Sequence, residues 1–273
     1  MKVVIIFLLF TLALASSLAA VEEVYDDLRL DVEPVPEPLL ELEPQNIITN
    51  GYIAPEGKAP YIVGLLFSKR NSGAWCGGSI IGNTWVLTAS HCSKGFSTVT
   101  IYYGSNRRAQ GTVIHTVNAE NIINHRTHDI ALIRTPHVAF TDRINLVKLP
   151  SASNSGELYV NKRTTACGWG ITTSNRTPDQ LQCIDATVIS NQQCARVYAA
   201  GSINSQILCI STPGGRSICS GDSGGPLVTQ DNTILIGVSQ FVSSRGCTAG
   251  HPAGFTRVTS FLAWIRQHTD ISY

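Results

Sequence analysis

Beyond residue 47 the apolar residues of this chain come in short runs rich in Val, Ile and Thr, and that pattern most limits the fold. The runs are Tyr61–Phe67, Ser79–Thr88, Thr98–Tyr103, Asp129–Arg134, Cys183–Ile189 and Ile234–Val238, parted by clusters of Gly, Asn, Ser and Pro. β-Branched side chains pack well on a pleated surface and lose freedom in a helix, so each run predicts a strand and each cluster a turn. Many short strands at this spacing predict an all-β sandwich or barrel. Firm helical periodicity is confined to Val258–His268, where Phe261, Leu262 and Ile265 share a face.

The amino-terminal end follows a different logic. Lys2 precedes the apolar run Val3–Leu14 and an Ala-rich zone between Ala15 and Ala20, the layout of a signal peptide over 1–20. The run falls short of the ~20 apolar residues that span a bilayer, which argues against an anchor. Residues 21–47 then carry nine carboxylates, the single cation Arg29 and the prolines 34, 36, 38 and 44. Such a stretch cannot bury enough apolar surface to fold alone, and it reads as an acidic pro-segment, with a solubilising tail as the alternative.

Without residues 1–47, the balance of 20 basic and 19 acidic residues becomes 18 and 10. The excess cations are scattered, with only the pairs Lys69-Arg70, Arg107-Arg108 and Lys162-Arg163 adjacent. A nucleic-acid binder gathers such charge into a patch or helix, so this reads as a solvated surface, one that would at most favour acidic substrates or mucus. All eight cysteines lie beyond residue 75 in a chain addressed to an oxidising compartment. Disulfides are the expectation; zinc is disfavoured because no Cys-x-x-Cys or paired-His spacing occurs.

Three segments carry chemistry together: Thr88-Ala89-Ser90-His91-Cys92, Asp129-Ile130-Ala131-Leu132-Ile133 and Gly221-Asp222-Ser223-Gly224-Gly225-Pro226. A serine hydroxyl is a poor nucleophile until a base takes its proton, and imidazole does so best near neutral pH. The imidazole in turn needs a carboxylate to fix its tautomer and stabilise its cation. Glycines around the serine let the N–H groups of Gly221 and Ser223 converge on an oxyanion, worth ~3–4 kcal/mol of barrier. Each segment alone has a bland reading: a structural His, a surface cap, a turn. Their joint occurrence in the order His91, Asp129, Ser223 predicts a catalytic triad. Gly221-x-Ser223-x-Gly225 also fits the nucleophile elbow of α/β-hydrolases, with Asp231 and His251 as partners. That fold needs helices between its strands, and the chain before Ser223 has almost no helical periodicity.

With Trp75-Cys76-Gly77-Gly78-Ser79, Ala166-Cys167-Gly168-Trp169-Gly170 and Gly254-Phe255-Thr256-Arg257-Val258 added, residues 48–273 resemble the chymotrypsin-like serine peptidases. They look closest to the Jonah-type digestive proteases of flies. The resemblance implies two six-stranded antiparallel β-barrels, about 48–152 and about 153–273, with the active site in the cleft between them and a C-terminal helix. It implies the disulfides Cys76–Cys92, Cys194–Cys209 and Cys219–Cys247. A fourth, Cys167–Cys183, is less usual and joins cysteines whose common family partners are absent here. It places Ser217 at the base of the primary specificity pocket and Val242 and Ala253 on its walls. An uncharged Ser217 excludes trypsin-like preference, and branched Val242 narrows the pocket toward small or medium apolar side chains. It also implies activation by a cut before Ile48, whose new ammonium pairs with Asp222, although Ile47 stands where the family usually has Arg or Lys.

The same resemblance implies a secreted, monomeric enzyme of the digestive lumen acting on proteins or peptides and met by protein protease inhibitors. No cofactor, metal, nucleic acid or membrane partner is expected. Two departures bear on activity: Gln240 replaces a serine that usually bonds the triad aspartate, and Ser90 replaces alanine. They keep a second reading open, a catalytically silent homologue that binds or regulates. His115, His125, His128, His137, His251 and His268 show no recurring spacing, and Asn175-Arg176-Thr177 is a glycosylation sequon followed by Pro178.

Overall fold

The computed structural model describes residues 49–271; the signal-peptide and pro-segment assignments, and Ile48 itself, lie outside the described residues. After a short strand β1 (Tyr52–Ile53), one sheet is built from β2 (Ile62–Lys69), β3 (Ser72–Gly82), β4 (Trp85–Thr88), β5 (Thr98–Tyr103), β6 (Val113–Asn118), β7 (Ile122–Asn124) and β8 (Ala131–Arg134). A one-turn helix, α1 (Ser90–Ser93), follows β4. Strand order is β6-β5-β2-β3-β4-β8-β7, antiparallel throughout. Its outermost members are consecutive pieces of one stretch, bent at a tight turn over Ala119–Asn121. One piece pairs with β5 and the other with β8, so a single bent strand curls the sheet toward closure and six chain stretches form the half-molecule.

The second barrel uses β9 (Arg163–Gly168), β10 (Gln182–Ile189), β11 (Ile207–Ile210), β12 (Pro226–Thr229), β13 (Leu235–Phe241) and β14 (Ala253–Arg257). The ladder runs β10-β11-β14-β13-β12-β9 and returns to β10, a closed six-stranded barrel. β1 adds to β10, Tyr52 opposite Cys183 and Ile53 opposite Gln182. These residues were expected with the first barrel, yet they sit on the second.

Alternation explains the strands. In β5, Val99, Ile101 and Tyr103 are fully buried while their neighbours Thr98, Thr100 and Tyr102 are half-buried, the period-two pattern of a sheet with one face inward. The run Ser79–Thr88 divides into β3 and β4 because Asn83 turns the chain, its amide donating to the Val138 carbonyl at 2.9 Å. The stretch read as helical from Val258 begins as a 3-10 turn, since Phe261 leaves helical geometry at φ −122°, ψ 8°. The α-helix proper follows (Leu262–Thr269), burying Leu262 and Ile265.

One core cluster gathers Leu65, Phe67, Ile101 and Leu132; another gathers Ile184, Leu208, Leu227 and Phe255. Each such side chain contributes ~1.5–3 kcal/mol on burial, so either core outweighs any one disulfide at ~3 kcal/mol. The structure joins Cys76 to Cys92, Cys167 to Cys183, Cys194 to Cys209 and Cys219 to Cys247. Cys167 and Cys183 are register partners on β9 and β10 and staple neighbouring strands.

Candidate active site

His91 stands on α1, whose backbone is held by the Cys76–Cys92 bridge to β3. Its backbone N–H donates to Asp129 Oδ1 at 2.8 Å and its ring Nδ1 meets Oδ2 at 2.7 Å. A carboxylate only accepts, so the ring proton sits on Nδ1 and Nε2 is left with its lone pair. The His91 side chain is 42% exposed and that of Asp129 16%, so the imidazole reaches the surface while its partner carboxylate is withdrawn. Burial pushes the Asp129 carboxyl up, but the hydrogen bonds and charge of His91, with help from Lys94, outweigh it and hold it below its usual range.

Asp129 lies in the loop between β7 and β8, and that loop is shaped by a histidine to which sequence reasoning assigned no role. His125 Nδ1 accepts the backbone N–H groups of Thr127 at 3.3 Å and His128 at 3.1 Å. Its ring packs edge-on against Phe261 and Trp264. Burial, together with the charges of His128 and His268, depresses its basicity, which preserves the lone pair that the two amides need.

Ser223 sits in the loop before β12. Its carbonyl accepts the Gly77 N–H at 2.8 Å, and the N–H of Gly224 donates to the Ser239 carbonyl at 2.8 Å. A Cβ on Gly77 would lie 2.8 Å from Gly225 Cα, so the loop meets β3 where glycine alone fits. A Cβ on Gly224 would lie 3.0 Å from the Ala89 backbone nitrogen, which puts the serine loop beside the segment leading into α1. Gly221 takes φ 98°, a left-handed conformation that favours glycine. Among the described residues, neither the Gly221 nor the Ser223 N–H donates to a protein acceptor. Two unspent donors flank the serine.

Gln240 falls at the irregularity where β13 and β14 shift register. The Thr256 hydroxyl donates to the Asp129 carbonyl at 2.8 Å and lies 3.2 Å from the Gln240 amide. One hydroxyl proton cannot serve both, so the amide is best turned to present its N–H to Thr256. Gln240 thus braces Asp129 through Thr256 and the backbone, while the carboxylate's own donors both come from His91. Thr256 was quoted in a motif, but no signal in the sequence revealed this contact.

Asp222 is buried at 2% exposure, with Oδ1 accepting the Gly170 N–H at 2.7 Å and Oδ2 the Cys219 N–H at 2.8 Å. Burial drives its carboxyl up to about 6, against these two hydrogen bonds, and no cation pairs with it among the described residues. Thr49, the first described residue, is buried and tied to Ser217: its hydroxyl donates to the Ser217 carbonyl at 2.9 Å, and the Ser217 N–H points back to that oxygen at 3.0 Å.

Ser217 is 1% exposed, and Ala253 is buried in the second core cluster. Val242 packs against that cluster and lines a hollow of about 700 Å³ with Gln240, Phe241 and His251. A second hollow of about 410 Å³ runs along His91, Asp129 and Gln240. Cys76, His91 and Cys92 bring three potential ligand atoms within 4.8 Å, but both sulfurs are spent in a disulfide and offer no thiolate to a metal.

Residues 48–265 match the Trypsin family. Serine protease 1 of Drosophila melanogaster is 50% identical over 246 residues, 87% of this chain and 91% of that protein. A collagenase of Hypoderma lineatum is 42% identical over 87% of this chain and 93% of its own length. The solved structure of HL collagenase superposes with a TM-score of 0.79 at 41% identity, covering 83% of this chain and all of that one.

Proposed function

The chain belongs to the trypsin family and is a serine endopeptidase, and on that premise we propose how its residues divide the work. Ser223 Oγ attacks the scissile carbonyl carbon while His91 Nε2 takes its proton. Asp129, bonded at Nδ1, stabilises the resulting imidazolium. The Gly221 and Ser223 N–H groups receive the negative oxygen of the tetrahedral intermediate. Its collapse expels the amine with the proton from His91 and leaves an acyl-serine, which water attacks by the same steps in reverse order. The observation that carries this reading is the His91–Asp129 pair at 2.7 Å, which leaves Nε2 as the base.

Ser217 is uncharged, so a Lys or Arg side chain buried there meets no carboxylate. With Val242 as a branched wall and Ala253 beside it, the preference is for small or medium apolar residues before the cut. The mature enzyme comprises 48–273, released from a signal peptide (1–20) and an acidic pro-segment (21–47), and is secreted. The cut frees the Ile48 ammonium for Asp222, which has no other cation among the described residues. A fluorophosphonate probe should label Ser223, and His91→Ala should cut turnover by about six orders of magnitude. A peptide-library profile then reads the preference. Absence of labelling in protein that begins at Ile48 defeats the catalytic assignment, and efficient cleavage after Arg defeats the pocket reading.

A further inference from the structure

The two hollows beside the triad share Ser202, Ile207 and Gln240, so they are halves of one groove. The half next to His91 carries Lys94 and Arg126 on its wall; the half next to Val242 carries Arg196 and Arg245. All four are exposed, and among the described residues none forms an ion pair. The single carboxylate on either wall is Asp129, whose two oxygens are already bonded to His91. The four cations come from four separate segments of chain, yet the fold turns them toward one trough. Lys94 is close enough for its charge to act on Asp129.

We propose that this groove selects acidic side chains in the substrate residues on the amino-terminal side of the bond that is cut. The proposal rests on the peptidase reading above, which seats the residue before the cut against Val242; the chain preceding it then runs past Gln240 and the four cations. A carboxylate there meets unpaired positive charge and no competing anion, whereas a basic side chain meets repulsion from both walls. Because the cations are exposed, each contact is weak and screened by salt, so selectivity is a sum of modest terms.

The test compares peptides that differ by Glu against Gln at the second to fourth positions before the cut. In about 0.02 M salt one Glu should raise kcat/KM roughly threefold, and the advantage should vanish near 0.5 M salt. Lys94→Gln with Arg126→Gln should cut the advantage by about half, and adding Arg196→Gln with Arg245→Gln should abolish it; Arg134→Gln with Arg176→Gln, which removes the same charge as the first pair from outside the groove, should preserve it. The same Glu and Gln peptides are titrated onto a Ser223→Ala protein, so binding reports on the groove whether or not the chain turns over. Equal binding of Glu and Gln peptides, or equal loss of preference in both double variants, overturns the proposal. A binding preference without cleavage by the parent protein upholds the groove and counts against the peptidase mechanism instead.

Discussion

Replacing Asp222 by Asn in the uncut chain should change stability in a way that depends on pH, and the size follows from the site. The carboxyl is buried, free of cations among the described residues, and raised from 3.8 to about 6. A carboxyl that binds its proton more tightly folded than unfolded stabilises the fold at acid pH. That contribution is lost as pH rises from the unfolded value of 3.8 through about 6. A shift of about two units corresponds to roughly 3 kcal/mol. Asn cannot ionise, so it escapes this loss, but its amide nitrogen only donates, so one of the bonds from Gly170 and Cys219 is lost, which costs ~1–3 kcal/mol at any pH. Comparing the two proteins at about pH 4 and pH 8 cancels the hydrogen-bond cost and isolates the ionisation. Urea unfolding should show the variant gaining about 3 kcal/mol relative to the parent between those values. After a cut before Ile48 the sign should reverse: the ammonium pairs with Asp222, and Asn then destabilises by ~3–5 kcal/mol. An uncut variant whose relative stability is the same at both pH values refutes the reasoning, as does a cut protein that tolerates Asn without loss.

Val242→Gly should widen the hollow at the primary pocket and raise cleavage after Phe relative to Ala by about tenfold, read from paired substrates; an unchanged ratio means Val242 does not set the width. Gln240→Ser should place a third donor on the Asp129 carboxylate and raise kcat about three- to tenfold, whereas unchanged turnover would show the indirect brace through Thr256 to be sufficient. His125 has its basicity depressed, so its contribution is present above its ordinary value of 6.5 and lost as pH falls below it. The charges of the facing groups His128 and His268 act on His125 in the same direction as its burial. Hydrogen exchange at the Thr127 and His128 amides, corrected for intrinsic rate, should therefore speed up on acidification below that value; constant protection would remove His125 from the loop's support.

The strand-forming runs were legible because burial on a pleated face leaves a mark on composition: Val99, Ile101 and Tyr103 had to be apolar. The pairing of His91 with Asp129 was legible because an imidazole base requires an orienting acid, and few residue types serve. The cysteine partners followed only from the likeness to a family. What stayed hidden are contacts made by ordinary residues at long range. Nothing in the sequence distinguishes Thr256 from any strand threonine, and its link to Asp129 spans 127 positions. His125 looked incidental because its role is to accept two backbone amides, which imposes no spacing on other histidines. The groove's cations read as scattered charge because convergence is a property of the fold. The 3-10 start at Val258 escaped notice because periodicity of side chains does not reveal the backbone break at Phe261.

The seam where Gly77 receives the Ser223 loop has a consequence for the order in which this protein can become active. Gly77 belongs to β3 and Ser223 to the loop before β12, so the serine loop is held by a bond between the two barrels. Asp129 is likewise tied across that boundary, through Thr256 on β14. Contacts between distant parts of a chain form late, because loop closure must be overcome before they reward the fold. A nascent chain with one barrel complete has His91 and Asp129 in place but no seated serine, or the serine loop without its base. Hydrolytic power therefore arrives only with the final docking. While the chain is still folding, incompletely folded copies cannot digest one another, and this protection comes from topology alone.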